Sequence, residues 1–277
     1  GKISAHSRFE RQRPAIWMAD TDFSARRLDL AFPASEADPP HRVQITDLSG
    51  SQVIERGADA DFLRLESRWQ VARADLDGQS VRNAELALEA DHLHIPTLQD
   101  LKRRTQALQQ RDLSEDELAR RTLAVLRDLL PRFLQHSPRL AVTRLAFEAP
   151  QGDLEGSAMA RYRGEGGDAR EALARPARLL QRTTAEAELS LTRPLLIRIL
   201  EPISRQKVRQ VLGAEADPER VDRAVARMVR QRLGMAEALG LVEVDGERYA
   251  TEARWEEGAI TVNGRPLNGL AQGLSGA

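Results

Sequence analysis

Five histidines stand at positions 6, 41, 92, 94 and 136, and one pair has a spacing that suits a metal. His92 and His94 lie two apart in a stretch that reads as strand, so both imidazoles leave the same side and could reach one ion. A third ligand is missing, because Asp91 faces the other side of a regular strand. His92 and His94 are therefore the metal candidates, set against the plainer reading of a polar strand end before Pro96. Glu186 and Glu188 also share a strand face, as an acid pair would, or as solvated decoration. Gly164-Glu165-Gly166-Gly167 lacks the Lys-Ser/Thr of a phosphate loop and the Rossmann spacing, which makes it a flexible loop. No serine sits in a G-x-S-x-G elbow. We expect no catalytic residue, no cofactor and no enzymatic activity.

Composition narrows the function classes further. The chain of 277 residues carries 41 basic and 42 acidic residues, a net charge of -1. Binding to nucleic acid needs a clustered positive surface, and none is expected here. Cysteine is absent, which removes disulfides, thiolate chemistry and Cys-based zinc sites. No apolar run reaches the ~18 residues of a membrane span. The chain begins Gly1-Lys2-Ile3 without an initiator methionine. We read it as part of a longer protein, with any signal or anchor helix before Ile3.

The elements that carry these residues follow from periodicity. Residues 1–20 give no clear period. Leu28, Leu30 and Phe32 then alternate, Pro33–Pro40 break the chain, and Val43 and Ile45 begin a short strand, with turn chemistry at Asp47-Leu48-Ser49-Gly50. Leu63, Leu65, Trp69 and Val71 lie opposite Arg64, Glu66, Arg68 and Gln70, and Asp77-Gly78 turns into Leu86, Leu88 and Ala90. The phase slips so that Leu93 and Ile95 become apolar, which predicts a bulge and a bend. Pro96-Thr97 opens a helix, and Ser114-Glu115-Asp116-Glu117 is a capping-box start for a second, with Pro131 set to kink or close it. Leu140 and Val142 stand in one phase, Leu145 and Phe147 in the other. After the Pro150–Asp153 turn, Leu154, Gly156, Ala158, Ala160 and Tyr162 make a face of small residues, fit for close approach to the backbone. A helix over Ala169–Leu180 is interrupted at Pro176. Ala185, Ala187, Leu189 and Leu191 form a strand, and a helix from Pro194 is interrupted at Pro202. Asp217-Pro218 caps another ending at Gly240. Asp245-Gly246, Glu257-Gly258 and Asn263-Gly264 mark hairpins.

Short strand-to-strand links favour antiparallel pairing. The fold class is α+β, a long curved antiparallel sheet with amphipathic helices packed on its apolar face. Residues 1–60 are N-terminal strands and loops, 61–267 the main α+β domain, and 268–277 a frayed tail. The apolar stripes are core by default. A long curved sheet nevertheless leaves a trough that its helices must cover completely to avoid exposed apolar surface.

Three stretches resemble the YdgA-like family of bacterial envelope proteins, a family without an established biochemical function. They are Val81–Leu88 continuing to Leu98-Gln99-Asp100-Leu101; Leu129-Leu130 with Ser137–Val142 and Ala149–Gly152; and Gly240-Leu241-Val242 with Asp245-Gly246, Tyr249 and Gly258–Leu267. The likeness spans about residues 60–267 and carries over no catalytic residue. It implies a protein anchored in the Gram-negative inner membrane and facing the periplasm. The expected function is a non-enzymatic envelope protein whose curved sheet binds a lipid-like or protein ligand. The alternative is a scaffold acting through protein contacts, a homodimer among them, and a hydrolase is the least supported reading.

Overall fold

The computed structural model describes residues 3–12, 16–32, 41–57, 59–76, 79–111, 113–164, 169–213 and 216–267. The Pro33–Pro40 break, the Asp77-Gly78 turn, most of the Gly164–Gly167 loop and the tail from 268 lie outside the described residues. Among the described residues twelve strands form one antiparallel sheet: β1 (Ile3–Gln12), β2 (Ile16–Phe32), β3 (His41–Arg56), β4 (Phe62–Leu76), β5 (Gln79–His94), β6 (Arg139–Ala149), β7 (Gly152–Tyr162), β8 (Thr183–Thr192), β9 (Glu243–Asp245), β10 (Arg248–Glu256), β11 (Ala259–Val262) and β12 (Arg265–Pro266). Neighbours in the chain are neighbours in the sheet, except that β8 pairs with β10 and β9 joins β10 as a hairpin. The fold is α+β, as periodicity predicts. The described strands of the first 60 residues belong to the same sheet, since β1 pairs with β2, β2 with β3, and β3 with β4 from Val43↔Leu76 to Arg56↔Leu63. β3 is a long strand that runs on through Asp47–Gly50, where the sequence suggests a turn, because both neighbours pair with it there.

Six helices among the described residues fill three of the links. α1 (Ile95–Gln109) and α2 (Glu115–Leu134) join β5 to β6; α3 (Ala169–Ala174) and α4 (Pro176–Gln181) join β7 to β8; α5 (Arg193–Leu212) and α6 (Pro218–Ala238) join β8 to β9. Ser114 caps α2 by accepting the Glu117 amide, and Asp217 caps α6 by accepting the Arg220 amide, as their positions foretell. Pro202 departs from expectation, whereas Pro131 stands in the last turn of its helix. α2 runs three residues beyond Pro131, and α5 continues ten beyond Pro202. A proline deletes one amide bond and strains one turn. Buried Leu129 and Pro131 in α2, and buried Ser204 and Val208 in α5, hold those turns through packing. No helix among the described residues is long and apolar enough to cross a membrane.

The sheet keeps its apolar side apolar by slipping phase. The register shift between Leu63 and Leu65 falls opposite Ala90–Leu93, where the sequence pattern slips, and another separates Val142 from Leu145. A further slip crosses four strands at once. Ala25, Leu48, Val71 and Ala84 pair in one transverse row, and Arg27, Thr46, Arg73 and Arg82 in the next paired row. Between them Arg26, Asp47, Ala72 and Asn83 stand exposed, and Asp47 and Asn83 have φ of 50° and 49°. Burial passes from Ala25 to Leu28, from Val71 to Ala74 and from Ala84 to Val81. One residue per strand is thus left out of the alternation, which bends the sheet without turning its side chains over.

Candidate functional site

Two transverse rows of paired residues form the floor of a trough. Leu65, Ala90, Leu140, Ala160, Ala185, Trp255 and Ile260 follow one another by direct pairing across β4, β5, β6, β7, β8, β10 and β11. Ser67, Leu88, Val142, Ala158, Ala187, Ala253 and Val262 make the second row across the same strands. Six inter-strand steps of ~4.8 Å give a length of about 29 Å. The cavity over this floor measures about 700 Å³. The only polar side-chain atoms in the two rows are the Ser67 hydroxyl and the Trp255 indole N–H, and the latter donates to the Leu180 carbonyl at 2.7 Å.

Helices wall the trough without roofing it. At one end of the strands, Leu195 of α5 packs with Leu154, Leu191 and Tyr249, and Tyr249 donates its hydroxyl to Glu237 at 2.7 Å. At the other end, α4 leans on β8, with Thr183 donating to the Leu179 carbonyl beside the Trp255–Leu180 bond. Between the two walls Leu140 is 58% exposed and Leu88 37%, and Ala158, Ala160 and Ala187 are exposed as well. A floor of alanines has low relief, so an elongated ligand can lie against the backbone along its whole length. The face of small residues was legible in sequence. Its exposure was not.

The opposite face of the sheet is charged and largely neutralises itself. Arg64 and Arg139 both hold Glu89, and Arg68 and Arg144 both hold Glu85. Glu186 and Glu188 stand exposed on this side, pairing in the ladder with Arg254 and Glu252 respectively. They face solvent as strand decoration, and Glu188 lies with Glu155 and Glu252 around a depression of about 680 Å³.

His92, His94 and His136 occupy a different place, where the end of β5 meets the residues just after α2. His92 sits at the register shift with φ 57°, so strict alternation fails there. Asp91 consequently turns back toward it, accepting the His92 amide at 2.8 Å with Oδ2 3.3 Å from His92 Nδ1. His94 accepts or donates one bond with Thr97 Oγ1 at 2.8 Å and stacks on His136, ring centroids 3.7 Å apart. Phe62 touches all three imidazoles. No group of three or more His, Asp or Glu among the described residues could hold a metal ion. Sequence missed His136 because 42 residues and two helices separate it from its partner, and no local period links them.

Burial lowers the His94 pKa, the neighbouring His136 lowers it further, and Asp61 acts the other way; His136 is lowered by burial and raised by Asp61. Folded values below the ordinary imidazole value mean that the unfolded chain takes up protons first as pH falls through ~6.5. The full stabilisation by the neutral pair is present above that pH and declines toward the folded values. We expect the urea midpoint to drop between pH 7.5 and pH 5.5, and His136→Gln to flatten that slope. An unchanged slope in the variant would remove the pair from the pH response.

Comparison with known proteins gives one match. Residues 1–269 fit the family model described as a bacterial protein of unknown function, DUF945, a match that includes the first 60 residues. No curated protein matches the chain, and no solved structure does.

Proposed function

The chain belongs to DUF945, a bacterial family of unknown function, and from that premise we propose that it is a non-catalytic binding protein which holds an acyl chain of a lipid in the apolar trough. One observation carries this reading: the trough is about 29 Å long on strand spacing, floored mainly by alanine, leucine and valine side chains, and left open between its helical walls. Exposed apolar surface of this extent marks a binding site. A protein segment would need partners for its backbone amides, and the floor offers hydrogen-bonding side chains only at Ser67 and at a Trp255 already engaged. A hydrocarbon chain needs none. Our reading includes an envelope location at the periplasmic face of the inner membrane, supported by the likeness of residues 60–267 to YdgA-like proteins.

Purified protein, extracted with organic solvent and examined by native mass spectrometry, is expected to carry a co-purifying lipid, and delipidated protein to take up a long-chain fatty acid. Absence of bound lipid together with failure to take up fatty acid would refute the reading.

A further inference from the structure

Helix α5 has a side that the described residues leave about half exposed. Its Leu195 enters the cluster beside the trough, and Val208 joins Val221, Val225, Val229 and Leu233 of α6. At ~100° per residue, the side opposite buried Ser204 and Val208 carries Ile199, Ile203, Gln206 and Gln210, with Pro202 next to them. Ile199 and Ile203 are 43% and 50% exposed. Arg198, Arg205 and Arg209 run along one flank of this ridge, and Lys207 lies on the other. The helix holds five basic residues and a single acid, Glu201.

The charge is not neutralised in the way it is on the sheet. Arg205 meets Asp222 at 2.6 Å and Arg198 lies 3.6 Å from Glu201. Lys207 and Arg209 have no acidic partner among the described residues. Between the arginines opens a shallow depression of about 510 Å³ lined by Pro202, Arg205, Gln206, Arg209 and Gln210. An exposed isoleucine ridge flanked by cations is complementary to a surface that is apolar below and anionic above.

We propose that this face of α5 seats on an anionic phospholipid bilayer. Ile199, Pro202 and Ile203 enter the boundary between headgroups and acyl chains. Arg198, Arg205, Lys207 and Arg209 lay their stems along that boundary and their charges among the phosphates. The surface is separate from the trough, yet α5 is one of the trough's walls, so the seated protein would hold its open side near the lipid it binds.

The test is flotation of the full chain with vesicles of phosphatidylcholine alone or of phosphatidylcholine with phosphatidylglycerol. The protein is expected to float with the anionic vesicles only, and to do so less as salt rises. Ile199→Asp with Ile203→Asp is expected to lose at least about tenfold in bound fraction, as charges replace the inserted side chains. Both positions are exposed, so the melting temperature should hold; should it fall, Ile199→Ser with Ile203→Ser must show the same loss at wild-type stability. Flotation that survives these substitutions, or that is equal on neutral vesicles, overturns the proposal. Loss on Arg205→Glu with Arg209→Glu but not on the isoleucine changes means a soluble polyanion is the ligand, and overturns it too. A variant with a filled trough separates the two sites: Ala158→Trp with Ala187→Trp should still float, and if it does not, vesicle binding runs through the trough and α5 is not the seat.

Discussion

Ala158→Trp combined with Ala187→Trp is expected to abolish fatty-acid uptake and to leave the melting temperature unchanged. The two residues pair directly across β7 and β8 in the middle of the trough floor, and both are exposed. Their indoles therefore rise into open space instead of displacing a packed core. Each buried methylene contributes ~0.8 kcal/mol. Blocking the length of about four methylenes costs ~3 kcal/mol, which is a loss of ~100-fold in affinity. Glu188→Trp is the matched control. It lies one residue from Ala187 on the charged face, so it adds an indole to the other side of the sheet and should leave uptake at the wild-type level. Equal uptake by the double variant and the control would sink the trough as the binding site.

What could be read from sequence depended on whether the cause was local. Turn and cap chemistry is local: Asp245-Gly246, Glu257-Gly258 and Asn263-Gly264 each close a hairpin, and Ser114 and Asp217 each cap a helix. Phase slips are local too, so the changes at Ala90–Leu93 and Val142–Leu145 surfaced as register shifts. The aligned slip at Arg26, Asp47, Ala72 and Asn83 escaped notice because each strand alone shows only one stray residue. Its meaning lies in the pairing of four strands. Residues 1–20 gave no period, yet β1 and β2 pair along ten residues from Ile3↔Ala25 to Gln12↔Ile16. There the ladder of backbone bonds, more than side-chain alternation, makes the strand. Openness of the trough was the least legible property. Leu140 would read the same under a helix as in solvent, and only the landing places of α4 and α5 decide between them.

The close approach at Gly50 shows why a single position on the apolar face can be restrictive. A Cβ there would come within 2.2 Å of Phe23 Cε1, and Phe23 in turn packs edge-on to Trp69 with centroids 4.9 Å apart. The ring of β2 thus covers the glycine of β3 and reaches the indole of β4. Small and aromatic residues alternate across these neighbouring strands, so the sheet is covered there by its own side chains.

Leu129→Ala is expected to be the most destabilising single substitution in the α1–α2 pair, at ~2–5 kcal/mol. Leu129 is fully buried, 0% exposed, and it lies between the two α2 residues that grip α1. Asp128 takes the Arg104 guanidinium at 2.5 Å, and Arg132 reaches Asp100 at 3.0 Å. Asp100 also receives Arg103 and Arg104, and its carboxyl is held below the ordinary value by the bond from Arg103 first and by those from Arg104 after it. Those ion pairs fix the distance between the helices, so the cavity left by truncation cannot close by sliding one helix onto the other, and the cost should fall toward the upper part of the range. Leu130→Ala is the comparison: its side chain is exposed, and the expected change is within ~0.5 kcal/mol. At ~2 °C per kcal/mol for a chain of this size, the two variants should separate clearly in thermal melts. Hydrogen exchange should show the loss as faster exchange over residues 95–134, with β7 and β8 little changed. Equal melting of the two variants would mean that α1 and α2 are held by their charges alone.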